Sequence, residues 1–339
     1  MTFYYPKSLY DHSARWHIFP LLKSLMKEEN HASQNLSITE NLKDADCIIL
    51  PMSWNYYYNS QKIEDVLNFY KKSPHNLPVV SFVFGDFGVK VPKQFKGIVF
   101  RTSGRKSKLP KNHRGIPIFV NDPIKTYFAS EAIIKKTVSK TPIVGFCGQA
   151  NGFGIQTMKQ LFKTVLKNLM SSFGFRQIDV DQLMSTTFFR WNILMTLKRS
   201  NKITCNFIIR NRYRAGVTIK KETHQTTLQF YENIKESDYI VCMRGRGNFS
   251  TRFYETMAMG RIPIFVNTDC LLPLEEVINW KEHLVWVDYN ERHLIAEKVA
   301  EFHKKHNEVS MNALFLKNRA LWEDYLQLYS FFNHCLDAN

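Results

Sequence analysis

The stretch YIVCMRGRGNFSTRFYETMAMGRIPIFV, residues 239–266, decides the fold. Its two ends, Tyr239–Cys242 and Ile262–Val266, are short apolar runs typical of buried strands, and the segment between them combines a glycine-containing loop with a helical pattern. A strand, such a loop and a helix, in that order, aim backbone N–H groups and the positive end of the helix at the carboxyl edge of a sheet. The stretch therefore predicts an anion-binding site in an α/β fold.

Glycines and arginines in this loop suit a bound phosphate. Gly245 and Gly247 would let the backbone approach such a group closely. Arg244 and Arg246 would supply positive charge. Three residues are able to cap the helix that follows: Asn248, Ser250 and Thr251. A G-x-G sequence alone is weak evidence, because loops rich in glycine and arginine are common.

The helical part of the stretch has two distinct faces. At the usual 3.6-residue period, one face is apolar and consists of Phe253, Tyr254, Met257 and Ala258. The opposite face carries Arg252, Glu255 and Thr256. Arg252 and Glu255 therefore point the same way, away from the core. They could form an exposed ion pair or, in a cleft, bind a diphosphate and ribose hydroxyls respectively, and spacing alone leaves both open.

The chain is long enough for two domains. Its 339 residues exceed what one hydrophobic core usually supports. In residues 1–120, helical patterns, including one at Arg15–Glu28, alternate with short apolar runs, which indicates a parallel sheet covered by helices. Four of these runs are predicted to be strands: Cys47–Leu50, Val79–Phe84, Ile98–Arg101 and Ile116–Val120.

A second α/β unit begins near residue 139. Pro142–Cys147 is predicted to be its first strand, Gly148–Gly154 a loop containing glycine, and Ile155–Met170 a helix. The last amphipathic region, Ala313–Phe332, is rich in aromatic residues. We therefore expect an amino-terminal α/β domain at 1–138, a second α/β domain at 139–306, and a helical segment at 307–339 that packs back on the first domain.

Two segments carry the whole excess of positive charge. The formal net charge is +16, and residues 87–121 and 182–221 each contain nine Lys or Arg and no Asp or Glu. Charge of one sign attracts an anionic partner, which could be a nucleoside diphosphate, an acidic glycan, a lipid headgroup or nucleic acid. The alternative is a solvated basic surface that keeps the protein soluble.

Cysteine use and the amino terminus bear on the compartment. The six cysteines lie far apart and form no C-x-x-C pair, which favours buried free thiols over a disulfide framework or a zinc site. No stretch approaches the apolar length that a membrane span needs, and the first residues lack the layout of a signal peptide. We therefore expect a cytoplasmic protein.

The run from Cys242 to Val266, followed by Asp269, Leu272-Pro273 and Trp280, resembles the exostosin family of glycosyltransferases. The resemblance implies an inverting transferase with the GT-B fold, in which two Rossmann-like domains face each other across a cleft. The second domain would hold a nucleoside-diphosphate sugar, UDP-linked, and the first a glycan acceptor. Met243 stands where animal members commonly have proline, and their membrane anchor has no counterpart here, which indicates a microbial or viral member.

The resemblance also assigns residues to the donor. Four matching positions would contact it: Arg244, Ser250, Arg252 and Glu255. The phosphate-loop argument adds Gly245, Gly247, Asn248 and Thr251, and the glycine-containing loop after the first strand of the second unit adds Gly148. Arginines after the predicted strand Ile203–Ile209 are further candidates for a diphosphate clamp: Arg210, Arg212 and Arg214. These three could equally well face solvent.

An inverting transfer needs a base on the acceptor hydroxyl. Asp86 is the preferred candidate, because Gly85-Asp86-Phe87-Gly88 places a carboxylate just beyond the predicted strand Val79–Phe84, where sites of α/β folds gather. The competing interpretation is an ordinary turn aspartate. His12 and Asp122 are held in reserve.

Metal ions and other cofactors are not expected. Arginines and amides at a helix start can stabilise a departing diphosphate without a metal. Two D-x-D sequences, Asp44-Ala-Asp46 and Asp179-Val-Asp181, could suggest a metal site. However, the first precedes its predicted strand, and the second enters a helical pattern, so neither is predicted to bind a metal.

The leading hypothesis is thus an enzyme that extends a glycan, in polysaccharide biosynthesis, on a lipid-linked acceptor at the inner face of a membrane. The basic segments would then attract an anionic membrane surface or an acidic acceptor. A nucleic-acid-binding protein is the alternative from another class. However, the sequence has no recognisable nucleic-acid-binding motif, and its basic residues are not interleaved with aromatic ones, so no nucleic-acid partner is expected. A catalytically inactive glycosyltransferase-like subunit is the third.

Overall fold

The computed structural model describes residues 1–27, 36–130, 133, 137–217 and 220–337, and within them it contains two parallel β-sheets. The first sheet has the strand order β2-β1-β3-β4-β5-β6. Its strands are β1 Thr2–Tyr4, β2 Ser37–Thr39, β3 Cys47–Ile49, β4 Val79–Val83, β5 Ile98–Arg101 and β6 His113–Gly115. The second sheet has the order β11-β10-β9-β7-β8. Its strands are β7 Ile143–Gln149, β8 Thr204–Arg210, β9 Tyr239–Cys242, β10 Ile262–Asn267 and β11 Val285–Asp288.

Helices cover both sheets. Those before β7 are α1 Pro20–Leu25, α2 Trp54–Asn59, α3 Ile63–Lys72 and α4 Pro123–Phe128. Those within the second α/β unit are α5 Ile155–Ser172, α6 Thr186–Lys198, α7 Lys220–Glu236, α8 Thr251–Ala258 and α9 Ile295–Lys304. The chain ends with α10 Glu308–Tyr325 and α11 Leu328–Asp337. No helix of the described residues is both long enough and apolar enough to cross a membrane.

The carboxyl edges of the two sheets face each other. Asn248 follows β9 and donates its backbone N–H to Ser103 Oγ, which follows β5, at 2.9 Å. The N–H of Lys106 donates to the carbonyl of Asp269, which follows β10, at 2.9 Å. Two Rossmann-like domains opposed in this way form the GT-B arrangement, so the predicted fold class is confirmed.

The carboxyl-terminal helices contact both domains. Phe332 of α11 packs against Phe19 and Phe100 of the first domain, with ring centroids 5.5 Å apart in each pair. Ser24 and Tyr329 share a hydrogen bond of 2.7 Å. α10 in turn packs on α8 of the second domain. The last helices therefore return from the second domain to the first.

Proline explains two errors of the sequence-based assignment. The strand predicted at Ile116–Val120 lies instead at β6, because Pro117 lacks the N–H that a sheet position needs. The helix predicted at Arg15–Glu28 is a short 3-10 turn followed by α1, which starts at Pro20, a residue that suits the first helical position. Glu28 lies outside the described residues.

Arg319 of α10 ties three elements together. Its guanidinium donates to both oxygens of Asp122, at 3.0 and 2.5 Å, and to the carbonyl of Ala258 at the end of α8, at 2.6 Å. Asp122 also accepts the N–H groups of Ile124 and Lys125 and so caps α4. Burial opposes ionisation of Asp122, but Arg319 and these N–H groups outweigh it and lower its pKa.

We expect Arg319→Leu to destabilise the protein by about 3 kcal/mol, because it leaves a largely buried carboxylate and a helix-end carbonyl without their cation. Urea unfolding followed by circular dichroism measures this. The control is Lys317→Leu on the same helix, whose ion pair with Glu282 is exposed on both sides and should contribute no more than about 1 kcal/mol. Equal losses for the two variants would contradict the role of Arg319.

Candidate active site

The loop between β9 and α8 is tightly closed. The N–H of Gly245 donates to the carbonyl of Phe249 at 2.8 Å, which folds the loop into a single turn. Ser250 precedes α8 in an extended conformation, and its hydroxyl makes no capping hydrogen bond to the described residues. The predicted capping by Ser250 is therefore wrong. The N–H groups at the start of α8, next to exposed Thr251, thus lack a side-chain cap and attract an anion.

Gly247 is needed for a close approach between the domains. A Cβ atom at this position would lie 2.5 Å from the ring of Phe249 and 2.7 Å from the backbone oxygen of Asp86. The predicted need for glycine is explained by this contact, with a carbonyl of the opposite domain as the neighbour. The loop that carries Asp86 therefore lies directly across from the β9–α8 loop.

Asn248 holds the two domains together and has little capacity left for a ligand. Its side-chain N–H groups donate to the carbonyls of Gly104, Thr268 and Asp269, at 2.8, 3.0 and 3.0 Å. Its side-chain oxygen accepts the Thr268 hydroxyl at 2.7 Å. Because Ser250 precedes α8 at the N-cap position, the predicted capping by Asn248 is wrong. Its contact with a donor stays a prediction.

Arg244 is buried, with 2% of its surface exposed, and only part of its guanidinium is engaged. Nη2 donates to the two carboxylate oxygens of Asp181 at 3.0 and 3.2 Å. Nε and Nη1 are enclosed and have no hydrogen-bond partner among the described residues. Buried donors without acceptors are costly, so these two atoms favour an anionic or strongly accepting ligand.

Arg252 and Gly148 lie against each other. Arg252 Nη2 donates to the carbonyl of Cys147 at 2.8 Å, and the guanidinium stacks on the ring of Phe146 at 4.4 Å. A Cβ atom on Gly148 would lie 2.7 Å from Arg252 Nη2, so glycine is needed here for the arginine to reach the sheet. Nε of Arg252 is enclosed without a partner in the described part of the chain, and burial lowers the pKa of the guanidinium.

Glu255 points from α8 towards α7. Its Oε1 accepts the hydroxyl of Tyr231 at 3.2 Å, and the Tyr231 ring stacks on Tyr127 of α4 at 4.6 Å. Burial and the nearby carboxylate raise the pKa of Tyr231, so it stays a hydrogen-bond donor. The third residue of this face, Thr256, is fully buried and bonds Cys242, because β9 and α7 cover the face that the sequence predicted to point outward.

The arginines after β8 differ in their surroundings. Arg210 Nη2 donates to the carbonyl of Thr226 at 2.9 Å and to Gln229 at 2.8 Å, which fixes it to α7. It also lies within reach of the Cys147 thiol, whose pKa burial raises. Arg212 is exposed. The side chain of Arg214 lies outside the described residues.

Arg190 is a site residue that the sequence analysis missed. It projects from α6 and donates to the carbonyls of Gln149, at the end of β7, and Arg244, at 3.3 and 3.2 Å. It thereby links the end of β7, which carries Gly148, to the loop that carries Gly245. The glycine-containing loop predicted at Gly148–Gly154 therefore begins only after Gln149. A single arginine within the otherwise apolar pattern of Thr186–Lys198 was the available signal.

The second D-x-D sequence neutralises arginines. Residues 177–181 contain no helix; Ile178 forms an antiparallel bridge with Val89, which corrects the predicted helical pattern. Asp179 pairs with Arg101 of the first domain, and Asp181 pairs with Arg244. In the first D-x-D sequence, Asp46 accepts the N–H of Thr2. The described residues contain no group of three or more His, Cys, Asp or Glu suited to a metal ion.

Polar side chains of the first domain follow β1, β3 and β4. Asp86 follows β4 in the chain and is half-buried. His17 Nδ1 and Ser53 Oγ lie 2.7 Å apart, and the His17 ring contacts Phe84 at 5.4 Å. Burial lowers the pKa of His17, so the imidazole is neutral at pH 7. The sequence analysis missed His17, because it lay within the falsely predicted first helix.

The reserve candidates for the base lie in other surroundings. His12 is exposed in a turn. Asp122 is committed to Arg319 and to the start of α4, as described above. Among the three carboxylates and imidazoles proposed from the sequence, only Asp86 therefore belongs to the loop that contacts Gly247.

Comparison with known proteins supports the resemblance read from the sequence. Residues 186–300, about a third of the chain, match the Exostosin GT47 domain. Over this stretch the chain is similar to exostosins. Exostosin-1 of Drosophila melanogaster is 32% identical over 96 residues, which are 28% of this chain and 12% of that protein. A probable glucuronosyltransferase of Oryza sativa subsp. japonica is 34% identical over 59 residues, 17% of this chain and 14% of that protein.

The chain thus matches only a small part of each relative's length. Among solved structures, WaaG, a glycosyltransferase involved in lipopolysaccharide biosynthesis, has a TM-score of 0.37 at 9% identity, covering 100% of this chain and 99% of WaaG. An alpha-glucosyltransferase in complex with UDP-glucose and DNA has a TM-score of 0.37 at 13% identity, covering 91% and 86%. Similarities this low carry no information about the reaction. The family matches support the prediction of a glycosyltransferase.

Asp181→Asn tests whether the second D-x-D sequence neutralises Arg244 or binds a metal ion. We expect a loss of about 3 kcal/mol in the free energy of unfolding, because buried Arg244 loses its counter-charge. The control is Asp44→Asn, in the first D-x-D sequence, whose exposed carboxylate bonds Asn41 and should contribute no more than about 1 kcal/mol. If Asp181 were instead a metal ligand, Mg²⁺ or Mn²⁺ would raise the melting temperature of the wild type and not that of Asp181→Asn.

Proposed function

We propose that this chain transfers a sugar, with inversion, from a UDP-linked sugar nucleotide to a glycan acceptor. The family matches support the enzyme class. One observation carries the donor site: Arg244 and Arg252, beside the uncapped start of α8, hold enclosed N–H groups without acceptors in the described part of the chain. An unfilled set of buried donors around a positive helix end is what a diphosphate satisfies.

The charge balance at this edge favours a doubly charged ligand. Arg190, Arg210, Arg244 and Arg252 all lie there, against two carboxylates: Asp181, which pairs with Arg244, and Glu255 of α8. Arg252 uses a backbone carbonyl and an aromatic ring as neighbours, both of which are uncharged. A diphosphate would offset this excess of buried positive charge, which explains why the cluster persists despite its desolvation cost.

Glu255 is proposed to bind the ribose of the donor. Its carboxylate is oriented by the Tyr231 hydroxyl, and Tyr231 is in turn fixed by its stack on Tyr127. A carboxylate one helical turn from the anion site is well placed to accept the two vicinal hydroxyls of a ribose. The same helix would thus bind the diphosphate at its start and the nucleoside further along.

The cluster would also stabilise the leaving group. As the glycosidic bond breaks, negative charge grows on the diphosphate, and fixed arginines and amides are already aimed at it. This role of Arg244 and Arg252 supports a reaction that proceeds without a metal. The proton of the acceptor hydroxyl would go to Asp86, whose loop lies against Gly247 on the other wall of the cleft.

The polar side chains after β1, β3 and β4 are proposed to bind the acceptor. His17, Ser53 and Asp86 lie on the first domain at the same sheet edge as the contact with the β9–α8 loop. Hydroxyl-rich glycans need donors and acceptors of this kind, flanked by aromatic rings such as Phe84. The resemblance to exostosins supports a role in glycan assembly.

Arg252→Gln should weaken UDP binding about thirtyfold, the effect of losing one charged hydrogen bond. Isothermal titration calorimetry with UDP, GDP and CMP measures this and also identifies the base. The control is Arg199→Gln, which removes the same charge from an exposed residue that directly follows the carboxyl end of α6. The donor site is disproved if none of the nucleotides binds the wild type, or if both variants lose affinity equally.

Asp86→Asn should reduce the turnover of a sugar nucleotide by about two to three orders of magnitude while leaving the Kd for UDP unchanged. Turnover is measured as UDP release from the sugar nucleotide that the wild type hydrolyses fastest. The control is Asp65→Asn, an exposed carboxylate of α3 in the same domain, which should retain the full rate. Unchanged turnover in Asp86→Asn would assign Asp86 to the turn alone.

A further inference from the structure

Helix α5 is amphipathic, but it turns its polar face to the protein and its apolar face to the outside. The face turned to the protein is mostly polar: it contains Thr157, Gln160, Thr164, Asn168 and Ser171, with half-buried Leu161 among them. The face turned outward is apolar and exposed, and it consists of Ile155, Met158, Phe162, Val165, Leu166 and Leu169. The exposed fraction reaches 72% for Ile155 and 70% for Phe162, so most of the surface of these two residues is open to solvent. An ordinary surface helix places these faces the other way round.

The inward face is fixed by specific hydrogen bonds, so the helix cannot roll to hide its apolar side. Asn168 exchanges two bonds with the backbone of Asp181, at 2.8 and 2.9 Å. Gln160 accepts the hydroxyl of Ser185 at 2.6 Å. The carbonyl of Ser171 accepts Lys90 Nζ at 2.8 Å. Rolling the helix would break these bonds and place six apolar side chains against polar partners.

The apolar surface continues beyond both ends of the helix. Phe153 precedes it and is 67% exposed, and Phe173 and Phe175 follow it and are 73% and 78% exposed. Eleven of the eighteen large hydrophobic side chains exposed among the described residues lie between residues 153 and 183. So dense a patch exceeds the scattered apolar residues of an ordinary surface and indicates a partner that covers it.

The charges around this face identify the chemistry of the partner. Lys159 and Lys163 are exposed along one border of the apolar face, and Arg176 is exposed just beyond the end of the helix. No Asp or Glu occurs between residues 132 and 178. An apolar strip bordered by cations is typical of helices that lie in the interface of an anionic bilayer.

We propose that α5, with Phe153, Phe173 and Phe175, docks the protein on an anionic lipid surface. The apolar side chains would enter the boundary between headgroups and acyl chains, and the two lysines would contact lipid phosphates. The polar inner face keeps its bonds to the protein, so the helix lies in the surface and does not span it. A second copy fits this face less well, because it would set Lys159 and Lys163 against like charges without a carboxylate nearby.

The docking face lies close to the candidate active site. Lys167 and Asn168 of α5 contact Asp181, and Asp181 pairs with Arg244. Lys167 also lies over the ring of Phe87, next to Asp86, at 3.7 Å. Membrane docking through α5 would therefore hold one wall of the cleft near the lipid headgroups. Docking through α5 needs no substrate, so vesicle binding can be measured whether or not the donor site binds a nucleotide.

The test is co-sedimentation of the full chain with vesicles of phosphatidylglycerol and phosphatidylcholine, mixed at about 3:7, and with pure phosphatidylcholine vesicles. The variant Ile155→Ser/Phe162→Ser/Leu166→Ser should bind the mixed vesicles at least about tenfold more weakly. The control is Leu294→Ser/Val309→Ser/Leu316→Ser, which removes three exposed apolar side chains from elsewhere and should bind like the wild type.

A second variant keeps the test interpretable if the triple serine variant does not fold. Lys159→Gln/Lys163→Gln leaves the apolar face and the inner bonds untouched, and should weaken binding to the mixed vesicles by about fivefold per lysine, with less effect on pure phosphatidylcholine. The proposal is overturned if the wild type does not sediment with mixed vesicles, or if neither variant binds more weakly. It is also overturned if light scattering shows a dimer that the serine variant dissociates while vesicle binding stays absent.

Discussion

Two buried arginines, one from each domain, are neutralised by the same short segment, and the cleft depends on this pairing. Asp179 pairs with Arg101, of which 1% is exposed, and Asp181 pairs with Arg244, of which 2% is exposed. An unpaired guanidinium at such depth would cost several kcal/mol. The segment that carries the two carboxylates must therefore stay in place for the carboxyl edges of both sheets to face each other at close range.

The same requirement explains the inverted helix α5. A segment without regular structure needs other partners for its backbone, and Asn168 supplies them by bonding both the N–H and the carbonyl of Asp181. A helix that offers polar side chains to its own protein has its apolar residues left for the outer face. Placement of Asp181, and with it the remaining donors of Arg244, is thus linked to an exposed apolar surface that a lipid bilayer would cover.

The sequence predicted the fold well where local patterns were strong. Residues 239–266 fold as the predicted strand, loop, helix and strand, because apolar runs and helical period coincide there with Gly245, Gly247 and the turn after α8. The three-residue strands β1 and β2 were not predicted because they lack the uninterrupted apolar run that identified β3, a strand of the same length. The face of α8 with Arg252 and Glu255 was identified correctly, but its covering by α7 and β7 is a long-range contact that periodicity does not encode.

The site residues show the same limit in chemical terms. Residue type tells which bonds a side chain is able to make, whereas its neighbours decide which of those bonds remain for a ligand. Asn248 has its amide committed to three carbonyls and a hydroxyl. Arg244 keeps two enclosed donors, although both residues belong to the same eight-residue loop, 243–250. Competition for hydrogen bonds therefore separates a residue that joins the domains from one that is poised to bind an anion, and this competition is settled by residues far away in the sequence.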